Sequence, residues 1–432
     1  MLMRFALNIG LACSLSTFIV GSAAAQFYVS PNGNDNNPGT LSAPFRTLAR
    51  AQGAMRTVPL ANRDAYLLSG TYTITSPLSL TSADDGETWS TSSHSAARSA
   101  VLLNGPSDQK IFDINGGRSS VQDITFSNLT FNGGSSGGNA VWIDGNANGI
   151  YVRNNSFLNH SNGSDLYIYN SNNIYFQDNT SGPNELQPVT GHVTDNKAHS
   201  GIFVTDNTIS GFSRFGVEIQ NNSAGYFQNV HIDRNVVNIS ARGNPVGNEV
   251  FSLVSGPSPL GNTVWGNTVT GVRKDNQVFL ELNANNTSVE HNSVNQIDWG
   301  LSFAPEPGSE VENNTFTNVG TAFSRDGGWN DTQWVGVNEV NGVSEVGWPG
   351  VPNTTAKPEV FSASQVADRF RSVVADRVGS VPEPSTWAMM LLGFVGLGYG
   401  SFRQSLKALQ RGDAGRRRPD QDLARRARLQ TE

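Results

Sequence analysis

Residues 149–157 read "GIYVRNNSF": apolar and polar side chains alternate as far as Arg153, and the run then ends on two asparagines. The same phrase returns as "NIYFQDNTS" (173–181), "GIFVTDNTI" (201–209), "NVHIDRNVV" (229–237), "NTVWGNTV" (262–269), "TSVEHNSV" (287–294) and "SEVENNTF" (309–316). Aligned, the copies place Asn155, Asn179, Asn207, Asn235, Asn267, Asn292 and Asn314 in one column, at intervals of 22 to 32 residues. A repeat of that length means a solenoid, in which each copy buries its apolar face on its neighbours. Alternation with period two makes the repeating element a strand, because successive side chains point to opposite faces. An α-solenoid needs helical periodicity, which is missing, and a β-propeller repeats at about forty residues or more.

The inward positions of this strand are Val152, Phe176, Val204, Ile232, Val264, Val289 and Val311, and its outward stack is Tyr151, Tyr175, Phe203 and His231. We expect each strand to end on the repeated Asn, which tolerates a left-handed turn and can hydrogen-bond its stacked copies. Leu129 takes that place in the leading copy, as suits a terminal rung. A second strand recurs later in each copy: "AVWIDGN", "DLYIYN", "GVEIQN", "VFSLVS", "VFLELN", "GLSFAP" and "TAFSR". Three short strands per turn define an all-β, single-stranded right-handed parallel β-helix of about eight or more rungs.

This coil is expected over 121–325, preceded by a cap and first turns over 26–120 and followed by a far cap and linker over 326–380. Residues 1–25 carry Arg4, an apolar stretch and Ala23-Ala24-Ala25, the layout of a secretory signal peptide. The single cysteine, Cys13, lies within it, so the exported body has no disulfide or thiol chemistry. Net charge is −7, yet residues 403–432 alone carry +5 and residues 5–402 carry −13. So acidic a body excludes nucleic acid as a partner.

Residues 381–432 join Val381, Pro382, Glu383 and Pro384 to an uncharged stretch from 387 to 402 and an arginine-rich tail. A membrane helix is expected over about 385–402, with the basic residues behind it on the inside. Together these features resemble the PEP-CTERM sorting signal. That resemblance implies export through the inner membrane of a Gram-negative bacterium and an exosortase-type processing partner. It leaves open whether the chain stays anchored at the cell envelope or is trimmed and released. The basic tail runs longer than is usual for such signals.

The N-terminal segments "FYVSPNGNDNNPGTLSAPFRTLARAQGAMR" (27–56), "AYLLSGTYTITSPLSLTSADDG" (65–86) and "AVLLNGP" (100–106) resemble the opening of secreted pectin-lyase-like β-helix proteins, above all β-helix glycoside hydrolases. Residues 45–55 read as an amphipathic helix over the open end of the coil, where bare strand edges invite aggregation. The resemblance implies a polysaccharide groove over the second recurring strand. Its outward residues are Trp142 and Asp144, Tyr167 and Tyr169, Glu218 and Gln220, Ser252, Glu281 and Asn283, then Ser302. An intervening rung is matched by "HVTDN" (192–196), which sets Asp195 in the row.

Aromatic faces beside hydrogen-bonding groups suit sugar rings, so Trp142, Asp144, Tyr167, Tyr169, Gln220 and Asn283 are the expected substrate contacts. Glycoside hydrolysis needs two carboxyl groups at defined separation. Rungs about 4.8 Å apart put Glu218 and Glu281 roughly 9.6 Å apart, near the span of an inverting pair. Asp195 and Glu218 at about 5 Å would instead resemble a retaining pair. Rung arithmetic leaves both open. A lyase would need a base, for which Lys197, His199, Arg214 and Lys274 are candidates, and a cation held by several oxygens. No dense carboxylate cluster supplies one, and neither metal nor cofactor is expected. The function expected is binding and cleavage of polysaccharide. The alternatives are a non-catalytic exopolysaccharide-binding or adhesion protein and a polysaccharide lyase.

Overall fold

The computed structural model describes residues 26–341, apart from 106–109, 116–119, 222–223, 240–248, 257–259, 273–276, 304–307, 326–333 and 336–337. The signal peptide, the linker, the sorting segment and its expected membrane helix lie outside the described residues. Among the described residues no helix is long and apolar enough to cross a membrane.

The chain winds into a parallel β-solenoid with three sheets of twelve, ten and eleven strands among the described residues. The twelve-stranded sheet holds the first recurring strand, as in Ala147–Arg153, Asn172–Gln177 and Ala198–Thr205. The eleven-stranded sheet holds the short strands after each ladder Asn, such as Ser156–Leu158. The ten-stranded sheet holds the second recurring strand. Neighbouring rungs align like on like: Ile150 pairs with Ile174, and Ile174 with Ile202. The seven expected inward residues, Val152 to Val311, are all buried. Inward aromatics stack as well, with Phe131 and Phe157 nearly parallel at 4.9 Å. The outward rings Tyr151, Tyr175, Phe203 and His231 stack at 4.7, 4.7 and 4.9 Å, which spends their faces on one another.

The asparagine column is present, but its geometry differs from the expected one. The left-handed residue is the one before each ladder Asn: Asn154, Asp178, Asp206, Arg234, Gly266, His291 and Asn313, with φ between 52° and 64°. That turn swings the following Asn into the interior. There its Oδ1 accepts the backbone N–H of the equivalent residue one rung back: Asn155 N–H to Asn179 at 2.9 Å, Asn179 to Asn207 at 2.9 Å, Asn235 to Asn267 at 2.8 Å. Its Nδ2 donates to a carbonyl of that previous rung, as Asn179 does to Val152 at 2.9 Å and Asn207 to Phe176 at 2.8 Å. Each side chain so satisfies the buried polar groups left where the backbone turns between sheets. The column begins on the N–H of Leu129 and runs one rung past the repeat, to the buried Asn338.

At the other end, the helix Leu48–Met55 packs on the first strand, Gln26–Val29, and on its neighbour Asp64–Leu67. Thr47 caps it by accepting the Arg50 N–H, and Asp35 in turn holds the Arg46 and Thr47 amides at 2.9 Å. Leu48, Ala51, Ala54 and Met55 face the core. Beside this cap Arg56 grips Asp84 through two bonds of 2.6 and 2.8 Å. Glu87 is fully buried and accepts the Trp89 indole N–H at 3.1 Å. Burial, followed by the charge of Asp84, pushes its carboxyl up to about 9 from an ordinary 4.5. The folded chain holds this proton where the unfolded chain releases it. The stabilisation is therefore complete below about pH 4.5 and is lost as pH rises toward 9. Glu87→Gln is expected to flatten that decline, read as urea midpoints at pH 5, 7 and 9.

Candidate functional site

The ten-stranded sheet sets one outward row in register: Trp142, Tyr167, Thr190, Glu218, Ser252, Glu281 and Ser302. A second row runs beside it through Asp144, Tyr169, His192, Gln220, Val254 and Asn283. Apart from Asp195, the carboxyl groups and substrate contacts expected from the sequence therefore lie in these two rows, and Glu218 and Glu281 are two rungs apart.

Asp195 does not join them. The intervening strand is Val189–Val193, so Thr190 stands opposite Glu218 and Asp195 lies past the strand end. There it accepts His199 Nε2 at 2.8 Å and the Lys197 N–H at 3.1 Å. Burial alone would raise its carboxyl, but the His199 bond and the Lys197 amide outweigh burial and hold it below the usual range. The rung is misjudged because its central inward residue is Gly191, which gives no apolar signal. A Cβ there would meet Ile219 Cδ1 at 2.9 Å and Phe227 Cε2 at 3.5 Å, so these two side chains already fill that part of the core.

At one end of the rows stands an aromatic wall. Trp142 stacks on Tyr167 at 4.2 Å and 16°, and Lys110 Nζ lies 4.2 Å over the Trp142 ring. Both faces of the indole are thus occupied, and the wall offers ring edges, the tilted Tyr169 and two hydroxyl groups. Tyr167 Oη lies 3.1 Å from Tyr169 Oη and 2.8 Å from His192 Nδ1. Burial, then the hydrogen bond with Tyr169, pushes the Tyr167 phenol upward, so it stays protonated.

In the middle of the row lie the carboxyl groups. Glu218 is 1% exposed, with His192 Nε2 at 3.6 Å and Arg214 Nη2 at 3.8 Å. Glu281 is half-buried and accepts the Ser252 hydroxyl at 2.7 Å. Glu249, at the start of Glu249–Gly256, hydrogen-bonds the Glu281 carboxyl. Its own carboxyl is pushed up to about 8 by burial, then by that bond and the Glu281 charge, with Glu218 adding to the effect. Glu249 therefore keeps its proton beside the Glu281 carboxyl at neutral pH. Trp142 Nε1, His192 Nε2, Glu218 Oε2 and Glu249 Oε2 are buried and find no hydrogen-bond partner among the described residues. His192 Nε2 and Glu218 Oε2 face each other at 3.6 Å.

Sequence reasoning missed Glu249 and the place of His192 in the row, and named Arg214 only as a candidate lyase base. Glu249 shares its parity with Phe251 and Leu253, so alternation assigns it to the core. Yet Val250 and Phe251 are both fully buried, showing that the strand is covered on both sides at its start. Of the four candidate lyase bases, Arg214 alone reaches the row among the described residues; Lys274 lies outside them.

Residues 380–404 match the PEP-CTERM protein-sorting motif, so this β-solenoid is an exported protein sorted at its C-terminus to the Gram-negative cell envelope. Among curated proteins none matches the chain. Several solved structures resemble it. A rhamnogalacturonan lyase shares 14% identity over 67% of this chain and 87% of its own, with TM-score 0.40. The Streptococcus pneumoniae surface protein and adhesin PfbA shares 12% over 68% and 92%, with TM-score 0.44. The catalytic domain of a GH87 alpha-1,3-glucanase, solved with nigerose, shares 14% over 75% and 66%, with TM-score 0.45. A lyase, an adhesin and a glucanase side by side select no chemistry for this chain.

Proposed function

We propose that this exported β-helix binds polysaccharide along the Trp142–Ser302 row and hydrolyses it with the carboxyl groups of Glu249, Glu281 and Glu218. The observation that carries this reading is the Glu249–Glu281 carboxyl pair, with Glu281 two rungs from a third carboxylate, Glu218, beside an aromatic wall. The proton of this pair passes to the glycosidic oxygen as its bond to the anomeric carbon breaks. Water on the other side of the ring gives its proton to Glu218 as its oxygen bonds that carbon. Two rungs give roughly 9.6 Å, the inverting spacing within the precision of rung counting. Arg214, 54% exposed at its side chain, must swing aside to open Glu218 to water.

That seal favours a second reading, in which the row binds exopolysaccharide and leaves it intact. In either case an exosortase-type enzyme acts at the sorting segment, and the apolar stretch at 385–402 holds the chain at the membrane until it is processed.

A panel of bacterial and plant polysaccharides, assayed for reducing ends, tests the proposal. Release by the wild type that disappears in Glu281→Gln and Glu218→Gln supports hydrolysis. Glycan binding with no release across the panel leaves the adhesive reading. An unsaturated product absorbing in the ultraviolet overturns both in favour of a lyase.

A further inference from the structure

The turns leading into the aromatic wall contain a second polar cluster, separate from the carboxyl row. His160 follows Ser156–Leu158, Asp165 directly precedes Leu166–Tyr169, and Glu185 lies one turn on, bridged to Phe212. All three are fully buried. His160 Nδ1 stands 3.2 Å from Asp165 Oδ1 and 3.8 Å from Glu185 Oε2, and one ligand atom from each residue falls within 4.8 Å of the others. We propose that His160, Asp165 and Glu185 form a structural site for a divalent first-row transition ion of the Zn²⁺ class, which ties together the turns beneath the Tyr167 and His192 rungs.

Charge is the first argument. The groups that reach Asp165 are the Ser181 hydroxyl, the His160 imidazole and the Glu185 carboxyl, with no lysine or arginine among them. Two carboxyls buried side by side need either a proton between them or a cation. The second argument is the donor set. A proton-sharing acid pair has no use for a histidine, whereas one imidazole with two carboxylates suits zinc, manganese or ferrous iron. His160 is moreover held in place by its own backbone N–H, which donates to Glu185 Oε2 at 2.8 Å. Its Nε2 is buried with no hydrogen-bond partner among the described residues, so hydrogen bonding alone does not account for a buried imidazole here. The inference does not rest on the hydrolytic reading, because none of these three residues belongs to the row.

The test uses the full chain, stripped with a chelator, equilibrated with ZnCl₂ and desalted. The expected result is about one zinc per chain by elemental analysis after desalting and, measured before desalting, a melting temperature about 5 °C or more above the stripped protein, the shift expected near a hundredfold excess over Kd. Asp165→Asn keeps the size and the hydrogen bonds of the site and is expected to lose both effects. Zinc retained equally by Asp165→Asn identifies surface histidines as the binders and overturns the site. No retained zinc in the wild type overturns it whether or not the variant folds.

Discussion

Asn207→Leu is expected to lower the unfolding free energy by about 3–5 kcal/mol, because it strips partners from two buried backbone groups at about 1–3 kcal/mol each and adds a misfit. The two groups are the Asn179 N–H, which Asn207 Oδ1 accepts at 2.9 Å, and the Phe176 carbonyl, to which Nδ2 donates at 2.8 Å. The Nδ2 bond to Asn235 Oδ1 at 2.9 Å goes too, so the damage reaches the rungs on both sides. Leucine shares the branching of asparagine but is larger, and the apolar surface it adds cannot replace hydrogen bonds in a site closed to water. Asn313→Gly is the matched control. Asn313 is exposed and left-handed, at φ 57°, a conformation glycine adopts without strain. Its replacement is expected to change stability by no more than about 0.5 kcal/mol. Denaturant midpoints of the two variants separate a ladder that bears stability from one that only marks the period. Similar costs for both would show that the column is ornamental.

The contrast between these neighbours also shows what the sequence could disclose. Period and alternation announced the coil, because a stack of like rungs must repeat its inward residues, and Val152 to Val311 do so. The recurrence of Asn announced a column. It did not say whether the turn or the side chain required it, and the turn falls one residue earlier. A trace of this was visible: Asn154, Asp178, Asp206, Gly266 and Asn313 are residue types that accept positive φ. Alternation on the second strand likewise placed Glu218 and Glu281 correctly, since their flanking residues, Val217, Ile219, Leu280 and Leu282, are large and apolar. It failed where the inward residue shrinks to Gly191, which moved Asp195 into a row that belongs to Thr190 and His192. It failed again at Glu249, where the strand is covered on both sides. The carboxyl pair joins residues 249 and 281 from adjacent rungs, and no local pattern in one rung reports what stands on the next. The His160 cluster escaped for the same reason, being assembled from three separate turns.

Activity is where the carboxyl pair has its largest expected effect. Glu281→Gln is expected to reduce kcat/KM on the responsive glycan by about 10²–10⁴, the usual loss when a general acid is removed. Glu249→Gln acts differently. Glu249 is raised to about 8 by burial, by its bond to Glu281 and by that residue's charge. The pair therefore holds its proton at neutral pH, and the wild type is expected to lose activity as pH rises through about 8. With glutamine at 249 the carboxyl raised to about 8 is gone. The alkaline limb of the profile should then move down by at least about one pH unit, with much of the activity kept at pH 5. A shift of the limb without loss at low pH is a signature that a merely structural glutamate cannot give. If the limb stays in place, or Glu281→Gln keeps activity within about tenfold of wild type, the acid lies elsewhere and the pair only neutralises its own burial.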